Sequence, residues 1–279
     1  MQFRTEIGPV KGGFEISHSD RIVLIGSCFA DNVGERLDAD GFTTVHNPLG
    51  PLFNPASVLR AFSRGPRPYG EPDFTEHAGM WHCLDFANRF QAASPGELTK
   101  IVNEHYLPFA QAIADADVLI FTFGTAEVWA MTGGAVAGNC HKLPGTMFAH
   151  TMLSTDEIAG MWSGADFGSR RVIFTVSPVR YTSGGLPCNS LSKSRLRVAV
   201  DEICRATGAD YFPSFEILND DLRDYRFYAR DLRHPSDVAA DYIYEHFGRT
   251  YFSADTIAKA AECRRAFLRS QHRPIISQQ

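Results

Sequence analysis

The chain has 279 residues, of which 44% are hydrophobic and 21% are charged, as is typical of a soluble globular protein. Its formal net charge of -5 provides no basic excess, which argues against binding to nucleic acid or to an anionic membrane. The 6 cysteines include no CxxC pair, and the sequence contains neither an apolar signal region nor an apolar run of about 18 residues. We therefore expect a cytoplasmic protein with free thiols.

The first regular elements are predicted on either side of Ser27, after an irregular arm over residues 1–20. Residues 22–25 (IVLI) form an apolar run typical of a buried strand, and Gly26 ends it. Apolar residues then recur at every fourth position from Phe29 onward, which predicts a helix. Ser27 thus lies at the edge of an α/β sheet where ligands collect. It is either a nucleophile near the helix dipole or a simple helix cap.

The rest of the chain alternates between predicted strands and predicted helices. Further strands are expected at residues 43–45, 118–123, 171–176 and 209–212. Further helices are expected at residues 55–64, 95–115, 154–163, 189–207, 235–247 and 253–269. Short hairpins are expected at residues 80–92 and 133–143, with a helical turn at 125–131. The alternation predicts a parallel sheet covered by helices on both faces. We expect one domain over residues 1–279, with a core of about 20–250 and a terminal helix at about 253–270.

A second stretch with catalytic potential is DLRHP, at residues 231–235. Asp231 precedes His234 on one predicted loop, and Pro235 favours an extended backbone at His234. A carboxylate beside one imidazole nitrogen would fix the tautomer and leave the other nitrogen free to accept a proton. Such pairs are also common on protein surfaces. Together with Ser27, however, this pair predicts a nucleophile, a base and an orienting acid at one sheet edge.

Attack by Ser27 on an ester would create an oxyanion that needs hydrogen-bond donors. The candidates are the N–H of Ser27, the N–H of Gly50 in the proline-rich loop 47–55, and groups at residues 124–125. Glycines at strand ends are also ordinary turn residues, so each candidate has a purely structural alternative.

Several stretches, in this order, resemble a single known family. They are GSCFA at 26–30, NPLGPLFNP at 47–55, FGTAE at 123–127, NCHK at 139–142, SPVR at 177–180, SKS at 192–194 and DLRHPS at 231–236. The chain resembles the GSCFA family, a branch of the SGNH (GDSL-like) hydrolases, over about residues 20–250. This resemblance implies a flavodoxin-like, three-layer α/β/α sandwich with a five-stranded parallel sheet. It also implies that Ser27 is the nucleophile and that His234 is the base, oriented by Asp231.

The resemblance further implies three oxyanion donors, namely the serine and glycine amides named above and an asparagine side chain from the third block of family motifs, which corresponds to residues 124–127 here. Ala126 stands where this asparagine is expected. Such a loss can cost several kcal/mol of transition-state stabilisation. Asn54 is our first candidate for a replacement donor, and His141 or Asn139 is the second.

Other polar residues have weaker interpretations. Asn139, His141 and Arg180 are predicted to contact the substrate, although Arg180 is equally interpretable as an exposed surface arginine. Cys28 is an alternative nucleophile at a helix N-terminus, and burial as an inert thiol is the ordinary alternative. Residues 192–194 are interpretable as a solvated helix start. The His–Cys pairs in the chain lack the spacing of a metal site, so we predict no metal and no organic cofactor.

We therefore expect a serine esterase that hydrolyses O-acyl groups, such as acetyl, of a carbohydrate or related polyol. The expected partner is this small-molecule ester, with no nucleic acid and no membrane. An O-acyltransferase with the same triad is the first alternative, because both reactions share the acyl-enzyme. A catalytically inactive binding module of the same fold is the second, and the alanine in the third block is the reason for it.

Overall fold

The computed structural model describes residues 4–8, 11–132 and 134–271. The strands in chain order are β1 (Arg21–Gly26), β2 (Thr43–His46), β3 (Thr75–His77), β4 (Met80–His82), β5 (Gln91–Ala92), β6 (Val118–Phe123), β7 (Glu127–Met131), β8 (Val136–Ala137), β9 (Phe148–Met152), β10 (Arg171–Val176) and β11 (Asp210–Tyr211). The α-helices are α1 (Cys28–Ala39), α2 (Pro55–Ser63), α3 (Pro95–Asp115), α4 (Thr155–Ser163), α5 (Gly185–Thr207), α6 (Ser214–Glu216), α7 (Asp237–Tyr251) and α8 (Ala254–Gln271). None of these helices is both long enough and apolar enough to cross a membrane.

The central sheet has five strands, all parallel, in the order β11-β10-β6-β1-β2. Gly26 at the end of β1 is level with Thr122 of β6, and Thr122 is level with Thr175 of β10. The three middle strands therefore end at the same edge. The chain leaves β1 toward β2 on one side and later returns to place β6 on the other side. Ligands bind preferentially at such a switch point in an open α/β sheet.

Alternating side chains of the strands form two separate apolar cores. Val23 and Phe121 face the layer of α2, α3, α4 and α5, where Trp162 is among the largest buried side chains. Ile22 and Ile120 face the layer of α1, α7 and α8. The predicted three-layer α/β/α sandwich with a five-stranded parallel sheet is confirmed.

The caps predicted at the helix starts explain several of the observed boundaries. Asn54 Oδ1 accepts a hydrogen bond from Ser57 N–H at 2.9 Å and so caps α2. Ser154 and Glu157 form a complete capping box at the start of α4. Two starts differ from the prediction. Helix α5 begins at Gly185 rather than at 189, and α7 begins after the cap Ser236 rather than at 235.

The predicted helical turn at 125–131 is wrong, because Glu127–Met131 is strand β7. This strand pairs antiparallel with β9, which lies about twenty residues further along the chain, and with β8. The local sequence does not indicate this partner, and pairing across the sheet decides the conformation. The bounds of the hairpin predicted at 133–143 are wrong, because β8 pairs with β7 and no strand follows within 138–143. Residue 133 lies outside the described residues. The hairpin predicted at 80–92 is confirmed by the pairing of β4 with β5, and β3 adds a third strand.

Candidate active site

Ser27 lies between β1 and α1, where its backbone is extended and its Oγ accepts from Phe29 N–H at 3.3 Å. The residue is only 1% exposed. Gly26 before it has φ +147, and a Cβ at this position would lie 2.1 Å from Thr122 O. The tight approach of β1 to β6 therefore requires glycine next to the serine.

Asn47, at the end of β2, holds the backbone on both sides of this serine. Gly26 N–H donates to Asn47 Oδ1 at 3.0 Å, and Asn47 Nδ2 donates to Ser27 O at 3.2 Å. Asn47 Nδ2 also donates to Asp31 Oδ2 at 3.0 Å. One side chain thus fixes the turn and the first part of α1, which explains what the asparagine of the NPLG stretch contributes.

His46, the residue before Asn47, contacts two carboxylates of α1. Its Nδ1 lies 3.0 Å from Asp31 Oδ1 and its Nε2 lies 3.3 Å from Asp38 Oδ2. Burial opposes the positive charge of His46, but the hydrogen bonds with Asp31 and Asp38 outweigh it and raise the pKa of His46. The two carboxylates of α1 therefore favour the charged form of His46.

Cys28 is the first residue of α1 and is partly buried. Burial, followed by the charge of Asp31, raises the pKa of the Cys28 thiol. A helix N-terminus normally favours a thiolate, but desolvation is stronger here. The electrostatics therefore favour a neutral thiol, which does not support Cys28 as the nucleophile.

Asp231 and His234 form a self-contained pair on the loop before α7. Asp231 Oδ1 accepts from Arg233 N–H at 2.9 Å and from His234 N–H at 3.0 Å. Asp231 Oδ2 lies 2.5 Å from His234 Nδ1. The hydrogen bonds from Arg233 and then from His234 hold the pKa of Asp231 well below its usual range. The ionised carboxylate favours a proton on Nδ1, so Nε2 is the nitrogen that can accept one.

Helices α1 and α7 run side by side in the same direction. Arg36 Nη2 is 2.8 Å from Asp241 Oδ1, and one turn further along both helices Tyr244 OH donates to Asp40 Oδ2 at 2.7 Å. Because α1 begins where β1 ends, α7 also begins at the carboxyl edge of the sheet. The loop before α7 is therefore on the same side of the molecule as the start of α1.

A backbone contact also ties the histidine loop to the strand edge. Arg180, which follows β10, donates its N–H to Arg233 O at 3.0 Å. The Arg180 guanidinium lies over the ring of Tyr228, 3.9 Å from its centroid. The serine turn and the histidine loop thus share this edge of the sheet without a hydrogen bond between Ser27 Oγ and His234 in the described residues.

Both amides predicted as oxyanion donors already have acceptors. Ser27 N–H donates to Thr122 O at 3.0 Å, and Gly50 N–H donates to Asn47 O at 2.8 Å. This use of the amides cannot be read from residue types. Within the described chain, Cys28 N–H and Asn54 Nδ2 have no hydrogen-bond acceptor. Both donors lie near the start of α1 and α2.

Two side chains of helix α5 form hydrogen bonds with the backbone of the third block, residues 124–127. Ala126 is fully buried, and its N–H donates to Ser192 Oγ at 2.7 Å. Lys193 Nζ donates to Gly124 O at 2.6 Å and to Ser177 O at 2.7 Å. The interpretation of residues 192–194 as a solvated helix start is therefore wrong for its first two residues, which are buried.

Asn139 and His141 lie in the region between β8 and β9. Asn139 Oδ1 accepts from His141 N–H at 2.9 Å. The buried His141 ring has its Nε2 2.9 Å from Phe86 O and its Nδ1 3.3 Å from His82 Nδ1. Burial lowers the pKa of both histidines, so the pair is neutral. Its contact joins the hairpin of β4 and β5 to the hairpin of β7 and β8 at the segment that follows β8. Within the described residues, no three His, Cys, Asp or Glu side chains are arranged to hold a metal ion.

Glu127, the last residue of the FGTAE stretch, is a buried carboxylate, and residue types do not indicate its burial. Glu127 is buried at the start of β7, with Oε2 2.9 Å from His150 Nε2. Cys188 Sγ lies 3.5 Å from Glu127 Oε1. His150 belongs to β9 and Cys188 to α5, so the pairing of β7 with β9 brings Glu127 and His150 together.

The fold and this edge define an α/β protein with a serine at the start of its first helix and an Asp–His loop at the same sheet edge. The sequence profile of the GSCFA family matches residues 21–247, which is most of the chain. The chain therefore belongs to the GSCFA family. A search of curated proteins found no match.

Proposed function

We propose that this protein is a serine hydrolase that cleaves O-acyl esters through an acyl-enzyme on Ser27. The observation that carries the proposal is the Asp231–His234 pair, which leaves Nε2 available on a loop bound to the serine edge of the sheet. An imidazole in this state can take a proton from a hydroxyl. The resemblance to SGNH hydrolases assigns the same roles to the same residues.

The reaction requires His234 Nε2 to lie within hydrogen-bonding distance of Ser27 Oγ. Ser27 Oγ attacks the ester carbonyl, its proton passes to His234 Nε2, and the carbonyl oxygen becomes an oxyanion. The intermediate collapses, the bond to the alcohol breaks, and the alcohol leaves with the proton from Nε2. Water then attacks the acyl-enzyme with the same imidazole as base, which releases the acid and restores Ser27.

The donors that we assign to the oxyanion are Cys28 N–H and Asn54 Nδ2. Both have no acceptor within the described residues, whereas the Ser27 and Gly50 amides do. Asn54 is next to Phe53, whose carbonyl accepts from Gly124 N–H, and this glycine lies against Ser27 Cβ. Asn54 therefore keeps the replacement role suggested by its sequence.

The substrate that we propose is a short O-acyl ester, such as an acetyl ester, of a carbohydrate or related polyol. A cavity of about 270 Å³ is lined by Arg180, Leu218, Asn219, Asp220, Arg223, Asp224, Tyr225 and Tyr228. Arg180 also contacts the histidine loop, and a lining that combines polar side chains with two aromatic rings suits a polyol. Since Ser27 is 1% exposed, the loops at this edge must separate before a substrate can enter.

Labelling with a fluorophosphonate probe tests the nucleophile directly. We expect the probe to label wild type and the exposed-serine control Ser169→Ala, but not Ser27→Ala. Hydrolysis of p-nitrophenyl acetate and of acetylated sugars should follow the same order. Equal labelling and equal activity in wild type and Ser27→Ala would remove the mechanism, and absence of labelling in wild type would favour a binding module.

A further inference from the structure

The side chain of Lys193 is buried at the sheet edge without an acidic partner. The residue is 2% exposed, and Nζ donates to the carbonyl oxygens of Gly124 and Ser177 at 2.6 and 2.7 Å. Both acceptors are neutral, and Lys193 forms no ion pair with any carboxylate in the described part of the chain. Such a charge is costly to bury, and perturbed groups of this kind are concentrated at functional sites.

Lys193 and Ser27 are both spatial neighbours of one residue, Gly124. A Cβ placed on Gly124 would be 3.2 Å from Ser27 Cβ, and the carbonyl oxygen of the same glycine accepts from Lys193 Nζ. The charge of Lys193 also acts on the thiol of Cys28, the residue after the serine. The ammonium is therefore hydrogen-bonded to the residue that lies against Ser27.

The hydrogen bonding of Lys193 is incomplete. An ammonium has three N–H donors, and two of them have acceptors among the described residues. The two acceptors follow β6 and β10, so the same group fixes the ends of two neighbouring strands. The remaining positive charge is available to a negative charge that appears during a reaction.

We propose that Lys193 is a positioning residue of the Ser27 site, whose positive charge stabilises the oxyanion across Gly124 and compensates for the alanine at position 126. This inference rests on the proposed function of Ser27. Lys193 touches no reacting atom. It acts through its electric field and through the two carbonyl groups that it holds, which orient the loops after β6 and β10.

The charged groups around Lys193 leave its ammonium without a competing anion. Cys28 faces it from α1, and burial raises the pKa of this thiol, so the thiol is neutral. The carboxylates on the surrounding elements have other partners. Asp31 binds His46 and Asn47, Glu127 binds His150, and Glu216 binds Arg197 and Tyr211.

Solution pH gives this role a signature that a purely structural role lacks. Burial lowers the pKa of Lys193 to about 7, so the charge is present in mildly acidic solution and absent in mildly alkaline solution. A neutral lysine resembles methionine in size and charge. The difference between wild type and Lys193→Met should therefore be large at low pH and small at high pH.

The experiment measures the second-order rate constant of Ser27 labelling by a fluorophosphonate between pH 6 and pH 9. We expect Lys193→Met to react about tenfold or more slowly than wild type at pH 6, with the ratio falling toward one at pH 9. Lys259→Met, which removes an exposed charge on α8, should match wild type throughout. Circular dichroism and urea unfolding confirm that each variant is folded.

A ratio that is near one at every pH, or reduced by the same factor at every pH, overturns the inference and leaves the proposed function intact. Absence of labelling in wild type overturns the proposed function, and the inference with it. If Lys193→Met does not fold, wild type alone decides the question. Its rate constant must then decrease as pH rises above about 7, and a rate constant that stays level or increases up to pH 9 overturns the inference.

Discussion

The serine half and the histidine half of the candidate site are built in different ways. Ser27 is 1% exposed, and hydrogen bonds to Asn47 and Thr122 fix the backbone around it. The side chains of Asp231 and His234 are 45% and 48% exposed, and they are held mainly by bonds within their own loop. The fold thus fixes the nucleophile, whereas local loop geometry fixes the base.

This contrast predicts a separation of effects. Changes in the serine half should reduce stability, because its groups are buried and shared with the sheet. Changes in the histidine half should reduce reactivity without reducing stability. Four substitutions test the contrast. The first two are compared with a control substitution elsewhere in the chain, and the last two are compared with wild type at two pH values.

The largest effect is expected for His234→Ala. Loss of the base should slow Ser27 labelling by about 10³-fold, while the free energy of unfolding changes by less than about 0.5 kcal/mol because the side chain is exposed. Probe labelling and urea unfolding measure the two quantities. The control His105→Ala removes another exposed imidazole and should change neither. A variant that lost stability as strongly as reactivity would contradict the contrast.

Gly26→Ala should destabilise the fold by about 3 kcal/mol or more. Its φ of +147 is unfavourable for alanine, and the new Cβ would lie 2.1 Å from Thr122 O. Gly160→Ala is the matched control, because Gly160 lies inside α4 and a Cβ there meets no atom within 4 Å. Urea unfolding should show a stability unchanged or slightly increased in the control. A mild effect at position 26 would mean that the serine turn is less constrained than the hydrogen bonds indicate.

Lys193→Met should change how stability depends on pH. Burial lowers the pKa of Lys193 to about 7 in the folded protein, whereas an unfolded lysine titrates near 10.4. Between these values the unfolded chain binds more protons, so wild-type stability rises with pH relative to the variant. The difference between pH 6 and pH 9 should be on the order of 2 kcal/mol by urea unfolding. Parallel pH curves for wild type and variant would contradict this expectation.

His46→Gln should have the smallest effect, below about 1 kcal/mol. Hydrogen bonds with Asp31 and Asp38 raise the pKa of His46 despite burial, so its contribution is fully present below about pH 6.5. The contribution is lost as pH rises through the raised pKa of the folded protein. Unfolding at pH 5.5 should therefore distinguish variant from wild type more clearly than unfolding at pH 8.5. The reverse order would exclude a charged His46 between the two carboxylates.

The sheet could be predicted because its strands carry their own signal. Residues 118–123 and 171–176 are apolar runs bounded by turn residues, and both were predicted with the bounds that the structure has. Strand β7 could not be predicted, because its conformation depends on pairing with the distant β9. Local patterns identify buried parallel strands more readily than strands that depend on a remote partner.

The candidate site shows the same division. Ser27 and the loop 231–235 were found from residue types and spacing. The acceptors of the Ser27 and Gly50 N–H groups could not be predicted in this way, because residue types do not indicate which backbone carbonyl accepts from a given amide. Lys193 was missed for another reason, since a lysine in a helix is usually exposed. Its position three residues before the buried Leu196 places it on the inward face of α5 and was the available signal.

The contact between the neutral rings of His82 and His141, which joins two hairpins, should make the stability of this region depend on pH. The Nδ1 atoms of His82 and His141 are 3.3 Å apart, and burial lowers the pKa of both rings. Acid favours two protonated rings, which repel each other, so the stability that this contact provides declines as pH falls below about 6.5. The hairpins should therefore detach in acid before the sheet unfolds. At pH 5, we expect a protease to cleave within residues 134–147 while the amides of the sheet are still protected from hydrogen exchange. The hairpins, rather than the central sheet, would then determine the lowest pH at which this protein stays fully folded.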